Sequence, residues 1–296
     1  MNRSMEHRRN AHGWLFSSPY LLFTLIFFLL PLVMSVLLVF FDWNMISPEK
    51  VFVGLGNFKE ALTSNRVWNA FLVSYKFMIV FVPGVMATSL ILALIVNALP
   101  WFKSFFSVGF FLPYLVSGVA LSLFVRGFLS YTSPLNVFLR SVFGSSPSWL
   151  HNSTLAVLVI TAMIIWKMAG YYALILLAGL QGIPSDIYEA ASLDGANSWQ
   201  KFWSITVPML YPALYTVLIM AVGLVFGIFT EPYVLTNGGP QLATQTWQLE
   251  IYYQAFSLFR SGYGATMALL NAVVTFVSIW IIRRIAESRG RRYGWN

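Results

Sequence analysis

Apolar residues run along this chain in six long blocks, at about 15–41, 70–96, 104–125, 154–179, 208–230 and 264–285. Each reaches the ~20 residues that a helix needs to cross the hydrocarbon core of a bilayer. The pattern predicts an all-α integral membrane fold of six transmembrane helices over 15–285, between tails at 1–14 and 286–296. Pro31, Pro83, Gly84, Pro113, Gly118 and Gly170 interrupt the blocks. Membrane helices tolerate such residues because neighbours re-satisfy the freed backbone groups. Kinks and close packing are the expectation for most of them, and a moving or cavity-lining segment is the other reading.

One polar interruption stands out between the fourth and fifth blocks. From Glu189 it reads EAASLDGANSWQKFWSITVPMLYP, and it holds Glu189, Asp194 and Lys201. Pro184 suits a first helical position, and Asp186 and Glu189 suit the positive end of a helix dipole, so a short helix is predicted over 184–194. Ile187, Ala190 and Ala191 give it a small apolar stripe. Gly195 can stop it by taking the left-handed conformation. Ser198 is the expected cap of a second helix, with Trp199, Phe202, Trp203 and Thr206 on one face. The element predicted over 184–207 is therefore a helix, a glycine turn and a helix along the membrane surface. The second half would suit lipid headgroups. The first half suits them poorly, because Ala-Ala has little lipid affinity and two acids would face an anionic leaflet. Small residues flanked by acids fit a knob for a protein cleft.

Composition sharpens the class. The chain of 296 residues is 58% hydrophobic and 9% charged, with a mean hydropathy of +0.72; soluble domains carry about 25% charged residues. It has no cysteine, which excludes disulfides and thiolate metal sites, and His7, His12 and His151 are too scattered for a metal site. The net charge of +8 gathers at the ends rather than in a groove for nucleic acid. An even number of spans puts both ends on one side. With the tails inside, the inner segments hold Arg3, Arg8, Arg9, Lys103, Lys201, Arg283, Arg284, Arg289, Arg291 and Arg292. The outer ones hold Lys50, Lys59, Arg66, Arg126, Arg140 and Arg260. The inner majority predicts cytoplasmic termini, with 180–207 inside and 231–263 outside. Trp14, Trp43, Trp68, Trp101 and Trp149 lie near block ends, as interfacial anchors should. The long first block, with no A-x-A-like site after it, is not read as a cleaved signal.

The polar interruption closely resembles the EAA loop of permease subunits from binding-protein-dependent ABC importers. The matching residues are Glu189-Ala190-Ala191, Asp194-Gly195-Ala196, Phe202, Ile205, Pro208 and Pro212, with Val207 where leucine is usual. The likeness continues through Trp166, Gly170, Leu177-Ala178-Gly179-Leu180, Ile183-Pro184 and Tyr188 upstream. Downstream it takes in Leu235-Thr236-Asn237-Gly238-Gly239-Pro240 and Gly262-Tyr263-Gly264, and Gly54-Leu55-Gly56-Asn57-Phe58 fits the first outer loop. Leu235–Pro240 looks like the maltose-permease first-subunit type, in the carbohydrate-uptake branch, without the large outer domain some of those subunits have.

The resemblance implies a prokaryotic inner-membrane subunit paired with a second permease subunit, two cytoplasmic ATPase subunits and an external solute-binding protein. Glu189 would carry the charged contact with the ATPase, Ala190 and Ala191 would permit close approach, and Gly195 would give the turn, beside Asp194 and Ala196. No G-x-x-x-x-G-K-[ST] occurs, so ATP and Mg²⁺ would sit on the partner ATPase and this chain would hold no cofactor and catalyse nothing. The expected solute is a sugar, oligosaccharide or related polar compound; glycerol-phosphate or another polar solute is the runner-up. An ion-coupled secondary transporter is the rival class, but such proteins place acids at mid-membrane, and here Asp42 and Glu231 lie at block edges. Catalytic triads, HExxH and paired carboxylates at membrane depth are absent from the sequence. Pathway candidates are Lys167, a costly charge near the centre of the fourth block, Tyr171 and Tyr172 one turn on, Glu231 and Asn271. From Val217 to Phe229 the fifth block offers no polar side chain. The segment 231–263, rich in tyrosine and glutamine, reads equally as an interfacial belt and as a docking surface for the solute-binding protein.

Overall fold

The computed structural model describes residues 3–290, with side chains for 13–288 and Gly290. The side chains of Arg3, Arg8, Arg9, Arg289, Arg291 and Arg292, which carry most of the expected inner charge, lie outside what is described. The described chain is mostly helical. Helix α1 (Arg3–Thr24) starts inside the segment read as a tail and continues through a π-helical turn, Leu25–Leu29, into α2 (Leu30–Leu38). The wide turn precedes Pro31, and Leu30 N–H reaches back five residues to the Leu25 carbonyl. No described side chain of this span from Gly13 to Leu38 is buried, although it is the most apolar of the long helices.

The chain forms two compact units. The first comprises Met1–Ser64 and Ile251–Leu270. Besides α1 and α2 it contains a small antiparallel ribbon, β1 (Phe41–Asp42) with β2 (Val51–Phe52), and then α3 (Gly56–Thr63). Buried Asn57 holds the ribbon to the end of the first span by donating to the Val39 carbonyl at 2.9 Å and the Phe41 carbonyl at 3.1 Å. Gly262 lies so close to the Phe41 carbonyl that no Cβ fits, and its N–H donates to the Trp43 carbonyl at 3.2 Å. Arg260 meets Glu60 at 2.6 Å, and that hydrogen bond pushes the guanidinium pKa up.

The second unit, Asn65–Glu250 with Asn271–Asn296, is built on α4 (Asn65–Ala98), α5 (Lys103–Leu115), α6 (Gly118–Phe128), α7 (Pro134–Phe143) and α8 (Ser153–Gln181). Then come α9 (Ser185–Leu193), α10 (Ser198–Lys201), a π-helical turn at Phe202–Thr206, α11 (Val207–Met209), α12 (Tyr211–Val225) and α13 (Thr230–Thr236). The chain passes between the units within α14 (Trp247–Tyr252) and α15 (Ser261–Gly290).

Four described helices are long and apolar enough to cross a membrane, and the number reaches six if two bent pairs each count as one span. The first bend lies where Pro113 and Gly118 led the sequence to expect a kink, and the second separates the helix predicted along the membrane surface from the fifth block. Helices α5 and α6 stand at 88° across Val116–Ser117, both extended. Pro113 lies one turn before that break and removes the N–H that would hold the Gly109 carbonyl. The second pair, Ser198–Met209 and Tyr211–Val225, bends by 66° at Leu210. Pro212, near the start of α12, has no N–H for the Pro208 carbonyl, so the helix cannot continue straight. The fifth block breaks once more at 226–229, before α13.

Three glycines set how closely the other helices approach α8. A Cβ on Gly84 of α4 would lie 2.6 Å from Ile165 Cδ1, and one on Gly179 would lie 2.8 Å from Leu210 and 2.9 Å from Ala213. At Gly170 the Phe110 carbonyl of α5 occupies the space of a Cβ outright. Phe77, Phe81, Ile160, Tyr172, Leu176 and Leu210 fill the core between these helices. Such packing by small residues replaces the hydrophobic driving force that lipid does not supply between helices. The first turn of α14 and the residues just before it are pinned differently. Fully buried Glu250 accepts from Arg66 Nε at 2.7 Å and from Gln245 Nε2 at 2.8 Å, and Trp247 N–H donates to Ser74 Oγ at 3.0 Å.

Gly170→Val is expected to push α5 off α8 and cost at least the ~1–3 kcal/mol typical of an overpacked core, seen as a lowered melting temperature in detergent. Glu250→Ala, which strips Arg66 and Gln245 of their acceptor, is expected to cost about 1–3 kcal/mol and to speed proteolysis of the 240–250 stretch.

Candidate functional site

The segment singled out by sequence folds as a helix, a tight reversal and a second helix. Pro184 is the residue before α9 rather than its first: its ψ of 137° is extended, and Ser185 begins the helix. Gly195 has φ +81°. Ala196 N–H donates to the Ala191 carbonyl at 2.9 Å, and Gly195 N–H donates to the Ser192 carbonyl at 3.1 Å. This is a Schellman closure, which needs the left-handed residue that glycine supplies without strain. The cap of α10 is Asn197, not Ser198. Its side chain accepts from Gln200 N–H at 2.9 Å while Gln200 Oε1 accepts from Asn197 N–H at 2.8 Å, a reciprocal capping box. The two halves are tied together by Lys201 Nζ to Ser192 Oγ at 2.6 Å and by Tyr188 OH with Thr206 Oγ1 at 2.9 Å.

What the element presents follows from that closure. Glu189, Ala190, Asp194 and Gly195 are exposed, and Ala191 and Ala196 are half-buried. The Glu189 and Asp194 carboxylates have no hydrogen-bond or ion-pair partner among the described residues. Leu193, which sequence reasoning passed over, is 90% exposed one residue before the turn. Trp199 stacks on Phe202, Trp203 meets both edge-on, and Trp199 and Trp203 remain exposed.

The pathway candidates divide into two groups. Lys167 of α8 faces Glu231 of α13, with Nζ to Oε1 at 3.9 Å and the side chains 17% and 12% exposed. Gly118, the first residue of α6, lies against this pair: a Cβ there would stand 3.1 Å from Glu231 Oε1 and 3.3 Å from Lys167 Nζ. One turn along α8, Tyr171 stacks on Tyr114 of α5, with ring centroids 4.6 Å apart and planes at 13°. Lys167, Tyr171 and Glu231 therefore come together around the break between α5 and α6, and Tyr114 joins them unforeseen. Tyr172 turns the other way, 1% exposed in the core. Asn271 of α15 donates through Nδ2 to the Phe226 carbonyl at 3.2 Å, and its Oδ1 is buried without a partner. Thr246 Oγ1 donates to the Ile228 carbonyl at 2.6 Å. These two side chains hold carbonyls freed where the fifth block unwinds, which is what non-helical backbone at membrane depth requires. Among the described residues no cluster of three or more His, Asp or Glu could hold a metal ion.

The comparisons with known proteins cover most of the chain. A family model described as "Binding-protein-dependent transport system inner membrane component" matches residues 61–290. The probable ABC transporter permease protein YesP of Bacillus subtilis (strain 168) is 32% identical over 93% of this chain and 90% of its own length. The trehalose/maltose transport system permease protein MalF of Thermococcus litoralis is 31% identical over 98% of both. The probable starch degradation products transport system permease protein AmyD of Thermoanaerobacterium thermosulfurigenes is 30% identical over 92% of this chain and 94% of that protein. A chain in the crystal structure of a bacterial ABC transporter involved in import of the acidic polysaccharide alginate superposes with a TM-score of 0.82 at 22% identity, covering 98% of this chain and 99% of that one, so the two share a fold. The chain belongs to the family of binding-protein-dependent transport system inner membrane components.

Proposed function

We propose that this chain is a permease subunit of an ATP-driven importer that takes up a sugar or oligosaccharide. Six spans over 15–285, each bent pair counting as one, form half of a pathway whose other half is a second, related permease subunit. Both termini, with the tails 1–14 and 286–296, lie in the cytoplasm, and a solute-binding protein delivers cargo on the outer side. ATP and Mg²⁺ are bound by separate ATPase subunits. Relatives named for transport of trehalose or maltose and of starch degradation products support the sugar assignment, as does a neighbour of the same fold crystallised in complex with an alginate pentasaccharide-bound periplasmic protein.

One observation carries the coupling role. The Schellman-closed element between α8 and α12 holds out a bare Glu189 carboxylate, the small residue Ala190 and an uncovered Leu193, while its own polar contacts are spent on holding its shape. A charge and a leucine beside small residues complement a cleft on a protein, and water alone would not favour exposing that leucine. In this reading Glu189 makes the charged contact, Ala190 and Ala191 allow close approach, and Gly195 with Asp194 and Ala196 shapes the turn. The pathway residues are Lys167, Tyr171, Glu231 and Asn271. Tyr172 shapes the pathway only by packing behind Tyr171.

In proteoliposomes holding the full assembly, Glu189→Lys and Leu193→Asp should each lower nucleotide-dependent uptake at least tenfold, about 1.4 kcal/mol of coupling, with the permease pair still assembled. Uptake that persists without the ATPase and follows a proton or sodium gradient would overturn the importer reading. Lys167→Met should lower uptake about tenfold or more and, by leaving Glu231 unpaired, lower the melting temperature as well. Lys167→Met combined with Glu231→Gln should restore the melting temperature but not the uptake. Uptake restored along with stability would reduce Lys167 to a structural counter-charge.

A further inference from the structure

The connection between α6 and α8 is built rather than slack. Asn136, 1% exposed, donates to the Leu129 carbonyl at 2.9 Å and the Ser130 carbonyl at 2.8 Å, and accepts from Trp149 Nε1 at 2.9 Å, so one side chain pins both ends of the loop. Arg140 lies 3.9 Å over the Tyr131 ring and donates to Ser146 Oγ at 3.2 Å. Between this loop, α6 and the stretch from α13 to Pro240 lies a cavity of about 1230 Å³. That is above the ~300–1,000 Å³ of ordinary small-molecule pockets, and large enough for several sugar rings.

Its lining has a definite charge. Arg126 and His151 both line it, and no Asp or Glu does among the described residues. Val119, Leu123 and Arg126 reach it from one face of α6 at helical spacing. The Arg126 guanidinium has no hydrogen-bond, ion-pair or ring partner among the described residues, whereas Arg140 is spent on Tyr131 and Ser146. The nearest acid along α13, Glu231, is engaged by Lys167. Tyr131 keeps the ring face opposite Arg140 exposed, on which the C–H face of a pyranose can lie, whereas Tyr233 is stacked on Phe229. A free planar fork of donors takes a carboxylate two-pronged, and neither a neutral hydroxyl nor a point charge matches that geometry.

We infer that this cavity is a subsite for a saccharide carrying a carboxylate, a uronate, held at the outer mouth by Arg126 before it reaches the spans. The inference rests on the importer reading, which puts this loop outside, and it goes beyond that reading in naming the charge of the cargo. An acidic side chain of the solute-binding protein and a lipid phosphate offer the same guanidinium similar chemistry, so the test separates them.

The permease pair with its ATPases, in phosphatidylcholine nanodiscs and without the solute-binding protein, is titrated with digalacturonate and with maltose as a neutral disaccharide, read by saturation-transfer NMR. Digalacturonate should bind at least tenfold more tightly than maltose. Arg126→Gln, at an unchanged melting temperature, should remove that preference, and Arg126→Lys should recover only part of it. Equal binding of the two sugars, no binding of either, or indifference to Arg126→Gln would overturn the assignment. It would also be overturned by uronate binding that needs the solute-binding protein present, or by loss of binding in phosphatidylglycerol discs that Arg126→Gln relieves. Nucleotide-dependent uptake is measured on the same preparation: its failure would sink the importer reading, whereas its survival with no uronate preference would sink only the subsite.

Discussion

The second unit depends on how closely three helices can come to α8. Gly170 lets the α5 backbone touch α8, Gly84 opens α4 to Ile165, and Gly179 admits Leu210 and Ala213 at the start of α12. In lipid there is little hydrophobic gain from bringing apolar helices together, so contact of this kind must supply the attraction. The positions of the candidate pathway side chains follow. With α5 seated on Gly170, Tyr114 reaches Tyr171, and the chain leaving α5 at Val116 turns into α6 beside Lys167. Gly118 is less constrained than Gly170: a Cβ there would crowd Glu231 and Lys167, at 3.1 Å and 3.3 Å, rather than meet backbone.

The same packing joins that pair to the polar element at the other end of α8. Lys167 lies fourteen residues before Gln181, about 21 Å along a helix. From Gln181 to α9 the chain needs only Gly182, Ile183 and Pro184, of which Ile183 is buried. Tyr188 then hydrogen-bonds to Thr206 in the π-helical turn that leads to α11 and α12. Helix α9 is thus linked both to the end of α8 and to the turn that leads into α12, the two helices that meet at Gly179.

What could be read from the sequence follows from which forces act locally. Bilayer thickness acts on composition, so the apolar blocks stand out, and four of them fall on the described helices long enough to cross a membrane. The glycine turn was legible because the left-handed conformation all but names its residue at Gly195. Its neighbours were read one residue off: Asn197, with Gln200 three residues later, carried a capping-box signal that the serine beside it masked, and Pro184 precedes α9 instead of opening it. The bends were half legible. Pro113 and Gly118 marked the first as a kink, but whether a proline kinks a helix or splits it at 88° depends on what neighbours can hold the freed backbone groups. The pairing of Lys167 with Glu231, 64 residues apart, could not be read at all, because it is made by the meeting of α8, α6 and α13. Leu193 was missed for a simpler reason: one leucine in an apolar-rich chain carries no signal until its surroundings are known to be empty.

The Lys167–Glu231 pair also bears on how the unit could move. Its two charges stand on α8 and α13, with the first residue of α6 against both, and α6 and α13 each follow a break in the helix, at 116–117 and at 226–229. Broken ends are where a membrane helix can pivot without losing internal hydrogen bonds, provided the freed carbonyls keep partners. Asn271 and Thr246 supply those partners at Phe226 and Ile228 through side chains, not through a continuous backbone ladder. The ion pair, at 3.9 Å with both groups partly exposed, is a loose one. A tight two-pronged pair in the same place would cost more to open. The charges, the breaks and the side-chain partners of the freed carbonyls therefore form one arrangement: α8 is held by its glycine contacts, and α6 and α13 meet it just after the breaks that precede them.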